Sequence, residues 1–282
     1  MDKREQMNSP LVSVIVTTKN SARTIGRCLK CISQQLYSNI EIIVVDNLSM
    51  DGTAKIATRY PKVRFYLQGP ERSAQRNYGI KCARGKYILY LDSDQYIHKN
   101  TIYECVRMMD LGFDCISIPE LNWPFNLLNR SINYEKKFTS YQRDKALPRF
   151  FDKKVFKIMG NFNEKRTFDE DVELYVRLQK EGFLEGKIFL PILHDEATSV
   201  WNIIKKYYYY GSISNLNKEM PYNDEISKYY GFDLQFIKNL VIYSFKNPWM
   251  FCCGIFIKIA KYSAFAFGMY SQYTNEQIFG NK

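Results

Sequence analysis

Residues 12–46 read VSVIVTTKNSARTIGRCLKCISQQLYSNIEIIVVD, and this stretch decides the fold class. Two apolar, mostly β-branched runs, 12–18 and 40–46, enclose a segment whose apolar residues recur at helical spacing. Such runs predict strands that are buried on both faces and joined by a helix. The polar triplet at 19–21 suits the turn and the helix start. The stretch therefore predicts a β-α-β unit with parallel strands.

The same alternation continues along the chain and predicts an α/β fold with a central, mostly parallel sheet flanked by helices. Residues 121–150 lose clear periodicity and are interpreted as a long aromatic and basic connection. Residues 1–200 are predicted to form this α/β domain, and 201–282 a helical C-terminal region. The further predicted elements are helices near 51–60, 72–83, 152–159 and 169–181, and strands at 63–67, 86–92, 115–119 and 187–193.

Composition narrows the function classes. A net charge of +11 indicates an anionic partner, which could be nucleic acid, acidic lipid or a phosphorylated substrate. The basic residues are spread along the chain without a recognised nucleic-acid module, so we do not expect nucleic acid. Two histidines and no paired C-x-x-C blocks argue against a structural zinc site. No G-x-G-x-x-G follows the first strand, which argues against a nucleotide-dependent dehydrogenase.

The ends of the predicted strands are where a ligand is expected, because parallel α/β sheets bind ligands beyond the carboxyl ends of their strands. Thr17, Asp46 and Asp92 lie there. Asp92 and Asp94 flank Ser93, which brings two carboxylates within reach of one hard cation such as Mg²⁺ or Mn²⁺. The alternative is a solvated turn that caps the next helix. For Asp51 we favour helix capping, and for Asp46 ligand binding.

Four blocks of this sequence resemble the inverting glycosyltransferases of family 2, which have the GT-A fold. The resemblance covers about residues 10–195. The blocks are VSVIVTTKNSARTIGRCLKCISQQ, IEIIVVDNLSMDGT, SAQRNYGIKCARGKYILYLDSD and FDKKVFKIMGNFNEKRTFDEDVELYVRLQKEG. The resemblance implies a nucleotide-sugar donor held by Thr17, Asp46, Arg76, Asp92, Ser93 and Asp94, a Mn²⁺ or Mg²⁺ ion held by Asp92, Asp94 and His194, and Asp171 as the catalytic base.

Reaction chemistry agrees with the role of Asp171, since an inverting transfer needs a carboxylate to deprotonate the acceptor hydroxyl while a metal stabilises the leaving diphosphate. Alternative interpretations remain. The acidic residues at 169–173 also suit a helix start, and His194 also suits a structural histidine. The Q-x-x-R-W block of processive synthases is absent, so we expect transfer of a single sugar. A polyprenyl-phosphate acceptor is the closest alternative to a hydroxyl acceptor.

The apolar segment 248–270 raises the question of a membrane. Lys258 and Lys261 divide it into parts shorter than the roughly 18 residues that indicate a spanning helix. We therefore predict an interfacial helix that brings the enzyme to an anionic membrane surface and to a lipid-linked or other glycan acceptor. Since residues 1–6 lack the apolar core of a secretory signal, we expect a cytoplasmic location, on the cytoplasmic face of the membrane.

Overall fold

A computed structural model describes residues 9–123, 126–139, 146–166, 168–195, 199–214, 221–229 and 234–279. The strands are β1 (Val12–Thr18), β2 (Ile40–Asp46), β3 (Val63–Leu67), β4 (Tyr87–Asp92), β5 (Gln95–Tyr96), β6 (Cys115–Ile118), β7 (Glu120–Asn122), β8 (Leu147–Asp152), β9 (Glu185–Lys187) and β10 (Ile192–His194). The helices are α1 (Ile25–Ser33), α2 (Thr53–Ala57), α3 (Arg72–Cys82), α4 (Thr101–Asp110), α5 (Leu127–Thr139), α6 (Lys153–Met159), α7 (Glu170–Lys180), α8 (Val200–Ile213), α9 (Asn223–Tyr229), α10 (Leu234–Lys246) and α11 (Pro248–Phe279).

Seven strands form the main sheet, in the order β3-β2-β1-β4-β8-β6-β9. β1 pairs in parallel with β2 on one side and with β4 on the other. The chain runs outward from β1 to β3 and then returns to the opposite side of β1, so the order reverses between β1 and β4. This is the switch point at which open α/β sheets bind ligands. A smaller sheet has the order β5-β10-β7.

Apolar strand residues form the core of this part of the chain, as their near-continuous runs predict. Ile15 on β1, Ile43 on β2 and Ile88 on β4 are fully buried. Tyr90 stacks on Phe151 of β8 with ring centroids 5.9 Å apart. The predicted α/β fold with a mostly parallel sheet is therefore confirmed.

Two of the predictions for the middle of the chain are wrong. Residues 121–150 are not an irregular connection in their described part, because they contain α5 and most of β8. β8 lies antiparallel between β4 and β6, with Phe150 and Phe151 fully buried. The predicted strand 187–193 is two strands, since β9 belongs to the main sheet and β10 to the small one.

The chain divides into two compact units. The first comprises residues 1–121, 146–165 and 170–195, and the second comprises 122–145, 166–169 and 196–282. The predicted boundary at residue 200 lies near the last division, but the second unit also takes in α5. All described elements of the second unit after residue 196 are helices, from α8 to α11.

Helices α8 and α11 of the second unit approach each other closely at two glycines. A Cβ added to Gly211 would lie 2.0 Å from the carbonyl oxygen of Phe265, and one added to Gly268 would lie 2.1 Å from that of Tyr208. Only glycine fits where two backbones come this near. α11 is continuous across both lysines, and its segment Pro248–Ser271 is long and apolar enough, by length and composition alone, to cross a membrane. Length and composition thus also fit a spanning helix, and the predicted interfacial placement stays a prediction.

Candidate active site

Thr17 and Asp92 meet at the switch point of the main sheet. They are direct register partners on β1 and β4, and the Thr17 hydroxyl donates a 3.0 Å hydrogen bond to Asp92 Oδ1. The next residue, Ser93, is buried and its hydroxyl donates to Ser21 Oγ at 2.7 Å. Three residues predicted from the sequence to bind the donor are thus brought together at this edge.

Two arginines of α3 surround the Asp92 carboxylate. Arg76 Nη2 lies 3.1 Å from Asp92 Oδ1, and Arg72 Nη1 lies 4.0 Å from Oδ2. Burial raises the pKa of Asp92, but the positive charges of Arg76 and Arg72 outweigh it and hold that pKa well below its usual range. Asp92 is therefore an anion at every physiological pH. α3 can lie this close to β1 because Gly79 faces Ile15, where an added Cβ would meet the side chain at 2.4 Å.

Arg76 is itself buried and joins two carboxylates. Its Nη1 donates to Glu170 Oε1 at 3.0 Å while its Nη2 contacts Asp92, and the guanidinium lies 4.6 Å from the centre of the Tyr90 ring. The side chain is only 1% exposed. The predicted contact of Arg76 with the base or diphosphate stays a prediction, whereas its bridge between β4 and α7 was not predicted.

Asp94 lies at the open side of the same segment. Its side chain is 32% exposed, and its Oδ2 is 3.3 Å from His194 Nε2. Glu120 Oε2 is 3.7 Å from the other ring nitrogen of His194. Burial lowers the pKa of His194, but Asp94 and Glu120 prevail and raise it to about 9. In this arrangement His194 acts as a hydrogen-bond partner of Asp94.

Asp92 and Asp94 together fit the demands of Mg²⁺ or Mn²⁺. Such ions are held by one or two carboxylates, with substrate phosphates completing the shell. Within the described residues no three His, Cys, Asp or Glu side chains are gathered closely enough to form a metal cage. The exposed carboxylate of Asp94 and the anionic Asp92 would therefore share the ion with a diphosphate. The role of His194 as a third ligand stays a prediction.

Asp171 lies in the first turn of α7, beside Glu170. Its Oδ1 accepts the backbone N–H of Val172 at 3.0 Å, and its Oδ2 is 3.9 Å from Arg149 Nη2. Burial and the negative charge of Glu170 raise the pKa of Asp171, and Arg149 counteracts them in part. A carboxylate with a raised pKa is a stronger base than an ordinary aspartate.

Arg149 is a site residue that the sequence analysis missed. It is buried on β8, contacts both Glu120 and Asp171 through Nη2, and lies 5.0 Å from the centre of the Tyr90 ring. Neighbouring Glu120 and Arg72 were also not predicted. The one signal in the sequence is an arginine between a proline and two buried aromatic residues, which is unusual for a solvated loop.

The two aspartates after β2 have different surroundings. Asp46 is 1% exposed, and its carboxylate accepts hydrogen bonds from the backbone N–H and the hydroxyl of Ser49. Asp51 accepts the backbone N–H of Thr53 at the start of α2 and that of Ala22. The N-cap position of α2 is Gly52 and no side chain caps it, so the predicted capping by Asp51 is wrong, and Asp51 instead holds the turn before the helix. Nucleotide binding by Asp46 stays a prediction, since the described contacts hold the turn.

The comparison with known proteins identifies the family. A family model described as glycosyl transferase family 2 matches residues 13–167, which is more than half of the chain. The chain belongs to glycosyl transferase family 2. As a family 2 glycosyltransferase it is 26% identical over 267 residues to a chondroitin synthase of Escherichia coli, in an alignment that covers 79% of this chain. The chain spans only 38% of the length of that relative.

Solved structures confirm the GT-A type of fold for this glycosyltransferase. TarS of S. aureus, residues 1–349, in complex with UDP-GlcNAc matches with a TM-score of 0.54 at 18% identity, covering 95% of this chain and 92% of TarS. A mannosyltransferase of Pyrobaculum calidifontis in complex with GDP-Man and Mn²⁺ matches with a TM-score of 0.57 at 16% identity, covering 98% of this chain and 82% of that one. At such identities the likeness concerns the fold.

Proposed function

We propose that this family 2 glycosyltransferase performs an inverting, metal-dependent transfer of a single sugar from a nucleotide-sugar donor to a hydroxyl acceptor. The observation that carries the proposal is that two sets of carboxylates, Asp92 with Asp94 and Asp171 by itself, lie at one edge of the sheet. Asp92 ends β4 at the switch point, Asp94 follows two residues later, and Asp171 is linked to the same edge through Arg149. The structural neighbours solved with UDP-GlcNAc and with GDP-Man and Mn²⁺ support the donor class and the cation.

The residues at this edge divide the chemical work. Asp171 accepts the proton of the acceptor hydroxyl as that oxygen attacks the anomeric carbon, and its raised pKa suits this task. Asp92 and Asp94 would hold Mn²⁺ or Mg²⁺, which stabilises the negative charge of the leaving diphosphate. Thr17, through its hydrogen bond to Asp92, keeps that carboxylate oriented. Bond formation on the face opposite the leaving group inverts the anomeric configuration.

The experiment is a screen for release of nucleoside diphosphate from a panel of nucleotide sugars, each with a saccharide acceptor, with Mn²⁺, Mg²⁺ or excess chelator. We expect release with one donor class and loss of release in chelator. Full activity in chelator contradicts the metal requirement, and products longer by several sugars contradict single transfer. Retention of the donor's anomeric configuration in the product, read by NMR, contradicts inversion.

A polyprenyl-phosphate acceptor is the second candidate. A phosphate oxygen is already ionised and needs no base, so this reaction would proceed normally after Asp171→Asn. Transfer to a hydroxyl acceptor would be slowed in that variant, because it needs the base. The basic nucleic-acid-binding alternative, motivated by the net charge of +11, predicts salt-dependent binding of a generic oligonucleotide. Absence of such binding removes it.

The acceptor is proposed to be lipid-linked or another glycan, reached from the cytoplasmic face of a membrane. The basic net charge and the tyrosine-rich helix α8, with exposed Trp201 beside Lys205, support contact with anionic headgroups. Comparing turnover on a lipid-linked saccharide and on its soluble headgroup, with and without anionic vesicles, tests this. Equal turnover in all conditions contradicts it.

A further inference from the structure

On helix α11 the two lysines face inward and large apolar side chains face outward, which is the reverse of a helix exposed to water. Between Pro248 and Ser271 α11 has two charged residues, Lys258 and Lys261, whose side chains are only 16% and 13% exposed. A helix on the surface of a water-soluble protein normally does the opposite, burying its apolar stripe and exposing its lysines.

The inward lysines are held by one carboxylate of α5. Lys261 Nζ donates to Glu135 Oε2 at 2.8 Å, and Lys258 Nζ lies 3.9 Å from Oε1. Glu135 is itself buried. The Tyr207 ring of α8 lies 5.6 Å from the Lys261 ammonium. Lys258 and Lys261 thus have their counter-charge within the second unit, on the side of α5 and α8.

The outward side of α11 is apolar along more than five turns. We name its apolar residues the α11 stripe; most of them are three or four residues apart, Ala266 and Phe267 are adjacent, and the exposed Ser263 lies among them. The members of the stripe are Trp249, Cys252, Phe256, Ile259, Tyr262, Ala266, Phe267 and Tyr270, all exposed. Phe256, Ile259 and Phe267 are each 60% exposed or more. A continuous apolar surface of this length marks an interaction site.

We propose that the α11 stripe inserts into the acyl region of an anionic lipid bilayer, with the helix axis along the membrane surface. Two observations favour lipid over a protein partner. The stripe carries no charge that would fix the register of a partner, and exposed basic residues accompany it, among them Lys246 on α10 and Lys205 on α8. Apolar insertion and cationic flanks are the two terms of interfacial helix binding.

The helix lies along the membrane surface instead of crossing it, because the helices packed against it expose charged residues to solvent. α5 and α8, which pack on α11, expose Arg130 and Lys205 respectively. Charged groups on lipid-facing surfaces within the hydrocarbon are strongly disfavoured, so only the stripe side can be immersed. This inference deepens the membrane part of the proposed function and is independent of the reaction, so vesicle binding and donor turnover can fail separately.

The test is co-sedimentation of the full chain with vesicles of neutral phosphatidylcholine and of phosphatidylcholine with phosphatidylglycerol, at low and high salt. We expect binding to anionic vesicles that weakens with salt and does not vanish, since salt screens only the electrostatic part. Phe256→Glu with Ile259→Glu should weaken binding at least about tenfold. The matched control is Phe189→Glu, a residue of the first unit that is 93% exposed, which should bind as the unchanged chain does.

A second readout locates the contact. In the chain with Trp123→Phe and Trp201→Phe, Trp249 is the remaining tryptophan, and brominated lipids should quench its fluorescence. Absence of sedimentation with any vesicle overturns the proposal, as does unchanged binding of the stripe variant. Self-association without lipid that the stripe variant abolishes, together with no vesicle binding, assigns the stripe to a second copy of the chain instead. Release of nucleoside diphosphate from the donor is measured alongside and should be the same in the stripe variant.

Discussion

Arg76 and Glu170, separated by 94 residues, are joined by a buried ion pair with a nitrogen–oxygen distance of 3.0 Å. The same guanidinium contacts Asp92. It therefore ties the end of β4 to the first turn of α7, and so fixes the separation between the proposed metal-binding residues and Asp171. Catalysis by positioned groups requires a separation held to within fractions of an ångström.

We expect Arg76→Met to lower the free energy of unfolding by up to about 3–5 kcal/mol, because it leaves two largely buried carboxylates with only the longer contacts of Arg72, at 4.0 Å to Asp92 and 3.5 Å to Glu170. Arg76→Lys should retain only part of the stability that Arg76→Met loses, since an ammonium group cannot contact both carboxylates as a guanidinium does. Urea unfolding measures both. Arg107→Lys is the control, because its pair with Glu104 is exposed and worth less than about 1 kcal/mol. Equal effects at the two arginines contradict the bridge.

Asp171→Asn should leave donor binding intact and lower turnover by a factor of about 10² to 10⁴, the usual contribution of a general base. Isothermal titration with nucleoside diphosphate and single-turnover kinetics separate the two quantities. Asp110→Asn, an exposed aspartate of the first unit, serves as the control. Normal turnover with a hydroxyl acceptor would show that Asp171 is not the base.

Asp94→Asn should abolish the stabilisation by Mn²⁺ and nucleoside diphosphate together, and with it the activity, while the free protein loses only the contribution of the Asp94–His194 contact to its stability. The physical reason is that Asp94 is one-third exposed, so its charge serves a ligand more than the fold. Thermal shift with metal alone, nucleotide alone and both makes the measurement. Asp92→Asn is a poorer probe, because Arg76 loses a partner and the fold suffers too. A retained joint shift in Asp94→Asn contradicts metal binding there.

The sequence predicted the parallel half of the sheet closely and missed its antiparallel strand. β1, β2 and β4 can be recognised in the sequence as apolar runs that end in polar residues. β8 does not, because its six residues include Pro148 and Arg149 and become a strand only between two neighbours already in place. Tertiary pairing overrides such weak local preference.

The residues of the candidate site could also be predicted from the sequence only in part. Thr17 and Asp92 could be placed together, because adjacent parallel strands end at one edge. No local pattern indicates that Arg76 points inward to Glu170, since the partner comes 94 residues later. On α11, the sequence showed two lysines inside an apolar segment. Which side faces inward was decided by Glu135, a residue of another helix.

Glu135→Gln should lower the free energy of unfolding by up to about 3 kcal/mol, because it leaves two largely buried ammonium groups without a counter-charge. Exchanging Glu135, Lys258 and Lys261 together for methionine should recover most of the loss. Chemical unfolding, followed by circular dichroism, measures both variants. Glu104→Gln removes an exposed pair and should change little. A Glu135→Gln chain as stable as the control contradicts the inward placement of the lysines.

Gly268→Ala should destabilise the second unit by about 1–3 kcal/mol or more, since the new methyl group would lie 2.1 Å from the carbonyl oxygen of Tyr208 and backbone must move. Gly26→Ala on α1 is the matched helical control, with its nearest atom at 3.4 Å. It should be neutral or slightly stabilising. Thermal unfolding distinguishes them, and a stable Gly268→Ala chain would contradict the close approach of α8 and α11.

The antiparallel direction of β8 determines what kind of residue can reach the catalytic edge. A parallel strand offers that edge its last residues, and the loop beyond them is free to shift when a substrate arrives. β8 enters from that edge, so Arg149 lies near its start, at the point where the pairing of β8 with β6 shifts register, and its buried side chain contacts Glu120. Its positive charge is therefore held by the sheet and by its ion pairs with Glu120 and Asp171, and under the proposed function an acceptor would meet that charge in a fixed position.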